Sequence, residues 1–388
     1  MAMARPISPA AEKQPLGPRE RQFASLIWRN GPQSRRELQQ LTGIHPTLTG
    51  NSIAVLIKAG LLREGEIPPQ STRGRPQIPV ELDPEGSVFL GLSISPGTLR
   101  LARLDPTGRL RGPERVRTVG GSTSVVDAAR AALDQHLDES VHSIGVSFTG
   151  LMEPASRKML FSSSQPSTSA FSLQPIYDAA RRLPVILHND MHAAAMRWLL
   201  TSNAPAGDVL LVGLDDGRLG ASILIEGQPQ RGSLSAANEL GHMRLAVETD
   251  ECYCGMRGCL ERIISTPQLA RFGMKTRRSL DEALADPGRD RAAVDRVLQF
   301  LAIGLSNAVN FIRPQKLVIA SPLARHPVIC DFIRKNLNNM ILPGLRERVE
   351  TIFWQQPTMQ SAENAAWLAL ADVFAHSFQL QEPDRNVK

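Results

Sequence analysis

Three of the four cysteines fall within one eight-residue stretch, "CYCGMRGC" at 252–259, and His242 precedes the first of them by ten residues. One imidazole and three thiols make a complete tetrahedral donor set for zinc, with no open position for a reactant. His242, Cys252, Cys254 and Cys259 therefore point to a structural site for one Zn2+ per chain. Reduced cysteines without a metal leave the clustering unexplained, and iron–sulfur ligation is disfavoured by the histidine. The segment "MRLAVETDECYCGMRG" has too few apolar side chains to build a core, so closure on a metal would order it. Such a site needs reduced thiols. The N-terminal "MAMARPISPAAEKQPLGPRERQ" lacks the apolar stretch of a signal peptide, and no apolar run reaches the length of a membrane span. A cytoplasmic location with no membrane partner is the expectation.

The 388 residues suffice for two or three domains. Charge is concentrated at one end: residues 1–82 carry 11 Lys and Arg against 6 Asp and Glu, most of the net +6. A basic module on a neutral body suggests a polyanion partner for the module alone. Within it, "GPRERQFASLIWRN" reads as a helix with Phe23, Leu26 and Ile27 on one face, stopped at Gly31-Pro32. Ser34 and Glu37 form a capping box for "RRELQQLT", and Gly43 suits the left-handed end of that helix. A third helix runs from Pro46 to Lys58, and "LLREGE" can begin a wing. Helix, glycine-containing turn and helix is the geometry that lays a second helix in the DNA major groove, although a plain helical hairpin has the same spacing. Thr47, Leu48, Gly50 and Asn51 would face base edges, and Arg35 and Arg36 phosphates. Gly50 costs about 1 kcal/mol inside a helix, which close approach of DNA to the backbone would explain.

The Pro- and Gly-rich "IPPQSTRGRPQIPVELDPEG" reads as a linker, and its Arg73 and Arg75 could enter a minor groove. The expected division is a disordered tail over 1–17, a winged helix-turn-helix over 18–67, a linker over 68–86 and a two-lobed body over 87–388. In the body, "VFLGLSISPGTLRLARLDPTG" and "VLLVGLDDGRLGASILIEGQPQRG" repeat one plan of strand, turn and strand. The expected class is thus α/β: a winged helix-turn-helix joined to a duplicated actin-like and sugar-kinase-like (RNase H-like) body, with a ligand cleft between the halves.

"ELGH", nine intervening residues and "CYCGMRGCLE", taken with the N-terminal module and "RGRP", resemble the ROK family of repressors, open reading frames and sugar kinases. The resemblance covers nearly the whole chain. It implies a sugar ligand held by Glu239, the free ring nitrogen of His242 and Glu261, next to a metal that fixes the imidazole. "HNDMHAAAMRW" is similar to the family's Asn-Asp-Ala-Asn motif, which assigns Asn189 and Asp190 to the ligand, Asp190 as the counterpart of the kinase base. Met191 and His192 depart from it. By itself an Asn-Asp pair at a strand end is a helix cap.

The three loops that hold nucleotide in the family's kinases are altered: "SISPGT", "GLDDGRLGA" with Asp215 and Asp216, and "SPLAR". "FSSSQPSTSAFSLQP" also lacks the Asn and Trp that the family often places near sugar. The resemblance therefore implies a non-enzymatic transcription regulator, a repressor of double-stranded DNA operators answering to a sugar or sugar derivative. A bifunctional ATP-dependent sugar kinase with a DNA-binding arm is the alternative. A homodimer or homotetramer is expected, with "AVDRVLQFLAIGLSNAVNFI" as an interface helix or as core.

Overall fold

The computed structural model describes residues 16–66, 77–95, 97–119, 124–153, 156–161, 170–202, 207–230, 232, 238–275, 277–355 and 359–375. Residues 1–15 of the expected tail, Arg73 and Arg75, Pro96, and residues 162–169 lie outside them.

The N-terminal module forms as its caps dictate. Helix α1 (Pro18–Asn30) buries Phe23, Ala24 and Ile27. Helix α2 (Arg35–Thr42) starts on the Ser34–Glu37 capping box and ends on left-handed Gly43. Helix α3 (Pro46–Lys58) buries Ile53 and Leu56. Strands β1 (Gln33–Ser34), β2 (Leu62–Glu64) and β3 (Pro79–Leu82) form a sheet in the order β1-β3-β2, the wing of a winged helix. Two expected boundaries shift. Strand β3 lies inside the segment read as linker, because Pro79 occupies the first strand position, which needs no ladder donor. Leu16, assigned to the tail, is only 9% exposed.

The chain divides into two compact units, one built from residues 1–148, 172–187 and 362–388, the other from 149–171 and 188–361. The winged helix therefore belongs with the first half of the body and is not a separate body on a tether. In the first unit, β4 (Val88–Ser95), β5 (Thr98–Leu104), β6 (Arg115–Thr118) and β7 (Val141–Phe148) join β11 (Val185–Asn189) in the order β11-β7-β4-β5-β6. Helices α4 (Val125–His136) and α5 (Gln174–Ala179) accompany it. Helix α12 (Ala362–Phe374) lies on this sheet at backbone distance. Gly91 and Gly145 are register partners on β4 and β7. A Cβ at Gly91 would stand 2.0 Å from the Ala362 carbonyl oxygen, and one at Gly145 1.8 Å from that of Ala365. Only glycines facing an alanine-rich helix permit this approach.

The same helix holds α1. The Trp28 ring lies 5.8 Å from Trp367 and 5.2 Å from Phe374, Arg21 pairs with Asp372 at 2.9 Å, and Ser25 Oγ donates to the Phe374 carbonyl at 2.5 Å. The tie is chiefly apolar, since the half-exposed ion pair adds little.

The second unit opens with β8 (Leu151–Glu153) and β9 (Lys158–Phe161), followed by β10 (Phe171–Ser172). Its main sheet runs β14-β13-β12-β15-β16, from β12 (Val209–Asp215), β13 (Arg218–Ile225), β14 (Gln228–Pro229), β15 (Lys316–Ser321) and β16 (Glu350–Gln355). Each unit thus places an antiparallel hairpin beside parallel strands, as the repeated sequence plan implies. Helix α6 (Asp190–Thr201) follows β11. Helices α7 (Leu260–Ile263), α8 (Thr266–Arg271), α9 (Leu280–Ala285), α10 (Arg291–Ile312) and α11 (Pro327–Met340) complete the unit. Contrary to the sequence reading, the helical stretch Gly288–Ile312 is long and apolar enough for a membrane span by length and composition. Its stripe of Val294, Val297, Leu298, Leu301, Leu305 and Val309 is buried core, the second of the two readings of that helix.

Gly145→Ala should lift α12 off the sheet and destabilise the full chain by about 2–3 kcal/mol, read as a lower thermal midpoint. Gly344→Ala, where a Cβ meets nothing within 4 Å, should leave the midpoint unchanged.

Candidate ligand cavity and metal centre

A cavity of about 320 Å³ lies within the second unit, in the size range of small-molecule sites. Asn189 and Asp190 enter its wall at the junction of β11 and α6. Asn189 accepts the His192 N–H at 2.8 Å and so caps α6, as the plain reading of an Asn-Asp pair holds, while also facing the cavity. Asp190 Oδ2 accepts from Thr149 Oγ1 at 2.9 Å, and Oδ1 from the Met191 N–H at 2.9 Å. Glu261, in the first turn of α7, accepts from the Leu219 N–H at 3.3 Å and from the Tyr253 hydroxyl. Glu239 stands at the mouth with 46% of its side chain exposed. His242 is not among the lining residues; its Nε2 faces Glu239 Oε2 at 3.7 Å, so it meets the cavity through that carboxylate.

The carboxylates are crowded and partly stripped of water. Desolvation raises Asp190 to about 6, against hydrogen bonds from Thr149 and Met191 and the field of Arg218. Desolvation also raises Glu261, opposed by hydrogen bonds from Tyr253 and Leu219 and by the fields of Arg218 and Arg262. Burial, then Asp190 and Glu261, push Glu239 upward, and solvent at the mouth limits that rise. Arg218, on the β12–β13 turn, donates to Gln360 Oε1 at 2.7 Å. Thr149, Arg218, Tyr253 and Gln360 were missed in the sequence. Arg218 stood in view within the altered "GLDDGRLGA" turn, whereas Thr149 and Gln360 carry no motif. Of the two aspartates in that turn, Asp216 accepts from the Thr266 N–H at 2.7 Å and from its hydroxyl, so it fastens the turn to α8. Met191 fills the space over Gly213 and Gly220, where a Cβ would come within 2.5 and 2.7 Å of it.

His242, Cys252, Cys254 and Cys259 are brought together with their donor atoms all within 4.8 Å of one another. Cys254 Sγ lies 3.6 Å from Cys259 Sγ, and Cys252 Sγ 3.6 Å from His242 Nδ1. Tetrahedral zinc, with bonds of about 2.3 Å to sulfur and 2.05 Å to nitrogen, separates sulfurs by ~3.8 Å and sulfur from nitrogen by ~3.5 Å. The donor set fits. Left-handed Gly255 and Gly258 turn the loop, and a Cβ on Gly258 would press within 2.6 Å of the Leu245 carbonyl. Burial first, then the crowded neighbouring thiols, pushes Cys259 up to about 12, so metal entry must displace protons. Tyr253, between two of the cysteines, packs edge-on to His242 at 5.4 Å and donates to Glu261, which ties the metal loop to the cavity wall.

On the winged helix, Thr47, Leu48 and Asn51 are exposed at the front of α3, with Gly50 among them. A Cβ at Gly50 meets nothing within 4 Å, so the fold itself does not require glycine there. Arg36 is exposed, while Arg35 pairs with Glu64 of β2 at 2.9 Å.

Asp190→Asn should stabilise the ligand-free protein at pH 7.5. A carboxyl raised from 3.8 to about 6 binds its proton more tightly folded than unfolded, so stability falls as pH rises across that interval. The midpoint advantage of the variant should therefore be largest above pH 6 and fade towards pH 4; a constant advantage would refute the buried-charge account.

Comparison with known proteins places these features in a family. The ROK family model matches residues 119–372. The chain is 26% identical over 372 residues to the DNA-binding transcriptional repressor Mlc of Escherichia coli (strain K12), covering 87% of this chain and 90% of that one. It is 26% identical over 282 residues to the N-acetyl-D-glucosamine kinase of Salmonella typhi, covering 67% of this chain and 92% of the kinase. A crystal structure of a ROK family transcriptional regulator, described as a homolog of the Escherichia coli MLC protein, superposes with a TM-score of 0.74 at 21% identity. That likeness covers 94% of this chain and 100% of the other. The chain belongs to the ROK family.

Proposed function

We propose that this protein is a transcriptional repressor that binds double-stranded operator DNA through its winged helix and answers to a sugar or sugar derivative in the cavity. The observation that carries the reading is the extent of the likeness. The similarity to the repressor Mlc takes in 87% of the chain, whereas the similarity to the kinase takes in 67%. Thr47, Leu48, Gly50 and Asn51 would read bases. Gly50 supports this, because its missing side chain leaves room for a partner from outside. Arg36 would contact phosphate, Arg35 would do so by exchanging Glu64, and Arg73 and Arg75 would enter a minor groove. A homodimer or homotetramer would present two arms to a near-palindromic site.

For the ligand, Asn189, Asp190, Glu239 and Glu261 offer the carboxylates and amide that sugar hydroxyls require, with His242 behind Glu239. One Zn2+ would be held by His242, Cys252, Cys254 and Cys259 in a structural role, fixing the loop that carries Tyr253 and Glu239. Kinase activity is not part of this reading. Arg218 and Asp215 line the cavity at the hairpin turn that is glycine-rich in the kinases, and Asp190 would be a vestigial base.

Genomic fragments captured on the full-length protein should share a near-palindromic site with half-sites about one or two helical turns apart. Arg36→Ala should weaken binding and lower the salt slope by about one. A thermal-shift panel of neutral and amino sugars should give a hit that changes operator affinity by about 5- to 150-fold, and Glu239→Gln or Glu261→Gln should abolish that response. No enriched site, or ATP-dependent phosphorylation of any sugar in the panel, would overturn the reading. Elemental analysis should find one zinc per chain, and Cys254→Ser should lose it together with several kcal/mol of stability. Zinc-free protein of undiminished stability would exclude the metal.

A further inference from the structure

The cavity that Asp190, Glu239 and Glu261 make acidic also has a basic side. Arg218 and Arg262 are both among its lining residues. They stand on two segments locked to one another. The Gly217 N–H donates to the Ile264 carbonyl at 2.8 Å, the Leu219 N–H to Glu261 Oε1 at 3.3 Å and the Thr266 N–H to Asp216 Oδ1 at 2.7 Å. The two guanidinium groups are therefore carried by one fixed stretch of wall.

Neither has an ion-pair partner among the described residues. Asp215 is the register partner of Arg218 across the β12–β13 turn, yet it accepts from the Asp216 N–H at 2.8 Å. Among the described residues the Arg218 side chain bonds only to the Gln360 amide oxygen, at 2.7 Å, and the buried Arg262 Nε has no hydrogen bond. Arg218 acts on Asp190 and Glu261, and Arg262 on Glu261 and Asp250, through their fields and without contact. A guanidinium whose task is to neutralise a buried carboxylate touches it, because the hydrogen bonds recover part of the desolvation cost. These two leave their N–H donors for an anionic oxygen group brought from outside, which the planar fork of an arginine matches.

We propose that the cavity takes an anionic sugar, a sugar phosphate or sugar acid, with its hydroxyls on the carboxylate wall and its charge on Arg218 and Arg262. The two arginines are then specificity-determining residues. A neutral sugar that covers them removes their water and returns no charge-assisted bond. The sugar half of this inference rests on the proposed ligand reading; the anion half stands on the two guanidinium groups alone.

Isothermal titration calorimetry of the full-length protein tests it, with glucose, galactose and mannose and with the phosphate esters and uronic acid of each. An anionic member should bind about 10- to 100-fold more tightly than its neutral parent, the gain expected of charge-assisted hydrogen bonds. Whether phosphates or uronates hold that advantage identifies the anion. In the double variant Arg218→Gln with Arg262→Gln the ratio should fall towards one, whereas general damage to the cavity weakens both members alike. Inorganic phosphate without sugar should raise the thermal midpoint of the parent protein and not that of the double variant. A neutral sugar that binds as tightly as its anionic forms, or a double variant that keeps the preference, overturns the inference. If no hexose compound binds, the sugar reading of the cavity fails and the phosphate arm decides the rest. A midpoint shift lost in the double variant then keeps the anion site, and an absent or unaltered shift removes it as well.

Discussion

The close approach of α12 to Gly91 and Gly145 is the contact on which the first unit depends. Without side chains at those two register partners, the helix backbone reaches the sheet, and the stripe of Ala362, Ala365, Ala366 and Ala369 closes the gap. The depth of that seat sets where Trp367 and Phe374 stand, and hence where α1 and the winged helix are held. The second unit uses glycine partners in the same manner: Gly213 and Gly220 face each other across β12 and β13 and admit Met191. Such packing tolerates no added methyl, which makes both positions rigid references for what is attached to them.

Electrostatics in the cavity are a contest between desolvation and a small number of donors. Asp190, Glu239 and Glu261 are all raised, with burial the leading cause in each. Hydrogen bonds from Thr149 and Met191 to Asp190, and from Tyr253 and Leu219 to Glu261, oppose that rise, and a carboxylate has capacity to accept further donors. On the proposed reading, the hydroxyls of a polyol would replace water that these carboxylates lose on folding.

The metal loop answers a different difficulty. Its residues have little apolar surface to bury, so the proposed cross-linking of His242 and three cysteines through a metal would substitute for a core. Tyr253 is the point at which that local stiffness becomes useful, since it rises from between two cysteines to the carboxylate of Glu261. Gly258 and Gly255 are needed for the turn, Tyr253 for what the turn presents.

Much of this was legible in the residues. The capping box at Ser34 and Glu37, the left-handed Gly43 and the Cys/His spacing are local signals, fixed by hydrogen-bond geometry or donor chemistry over a dozen residues, and each forms as expected. The paired hairpins likewise announce the duplication. What the sequence could not carry were contacts between segments far apart in the chain. Strand β3 hid in a proline-rich segment because its partners, β1 and β2, lie elsewhere in the chain. Thr149 and Gln360, 211 residues apart, have no spacing to notice and become a pair only when the second unit folds. The seating of α1 on α12 joins residues about 350 apart by packing of Trp28, Trp367 and Phe374, ordinary apolar side chains that any core would use. Sequence alone determined the capped helices, the paired hairpins and the His/Cys donor set, because those depend on neighbours along the chain. Tertiary structure alone decided which apolar faces meet and which polar groups share a hydrogen bond, because burial is a property of the folded surface and not of the residue.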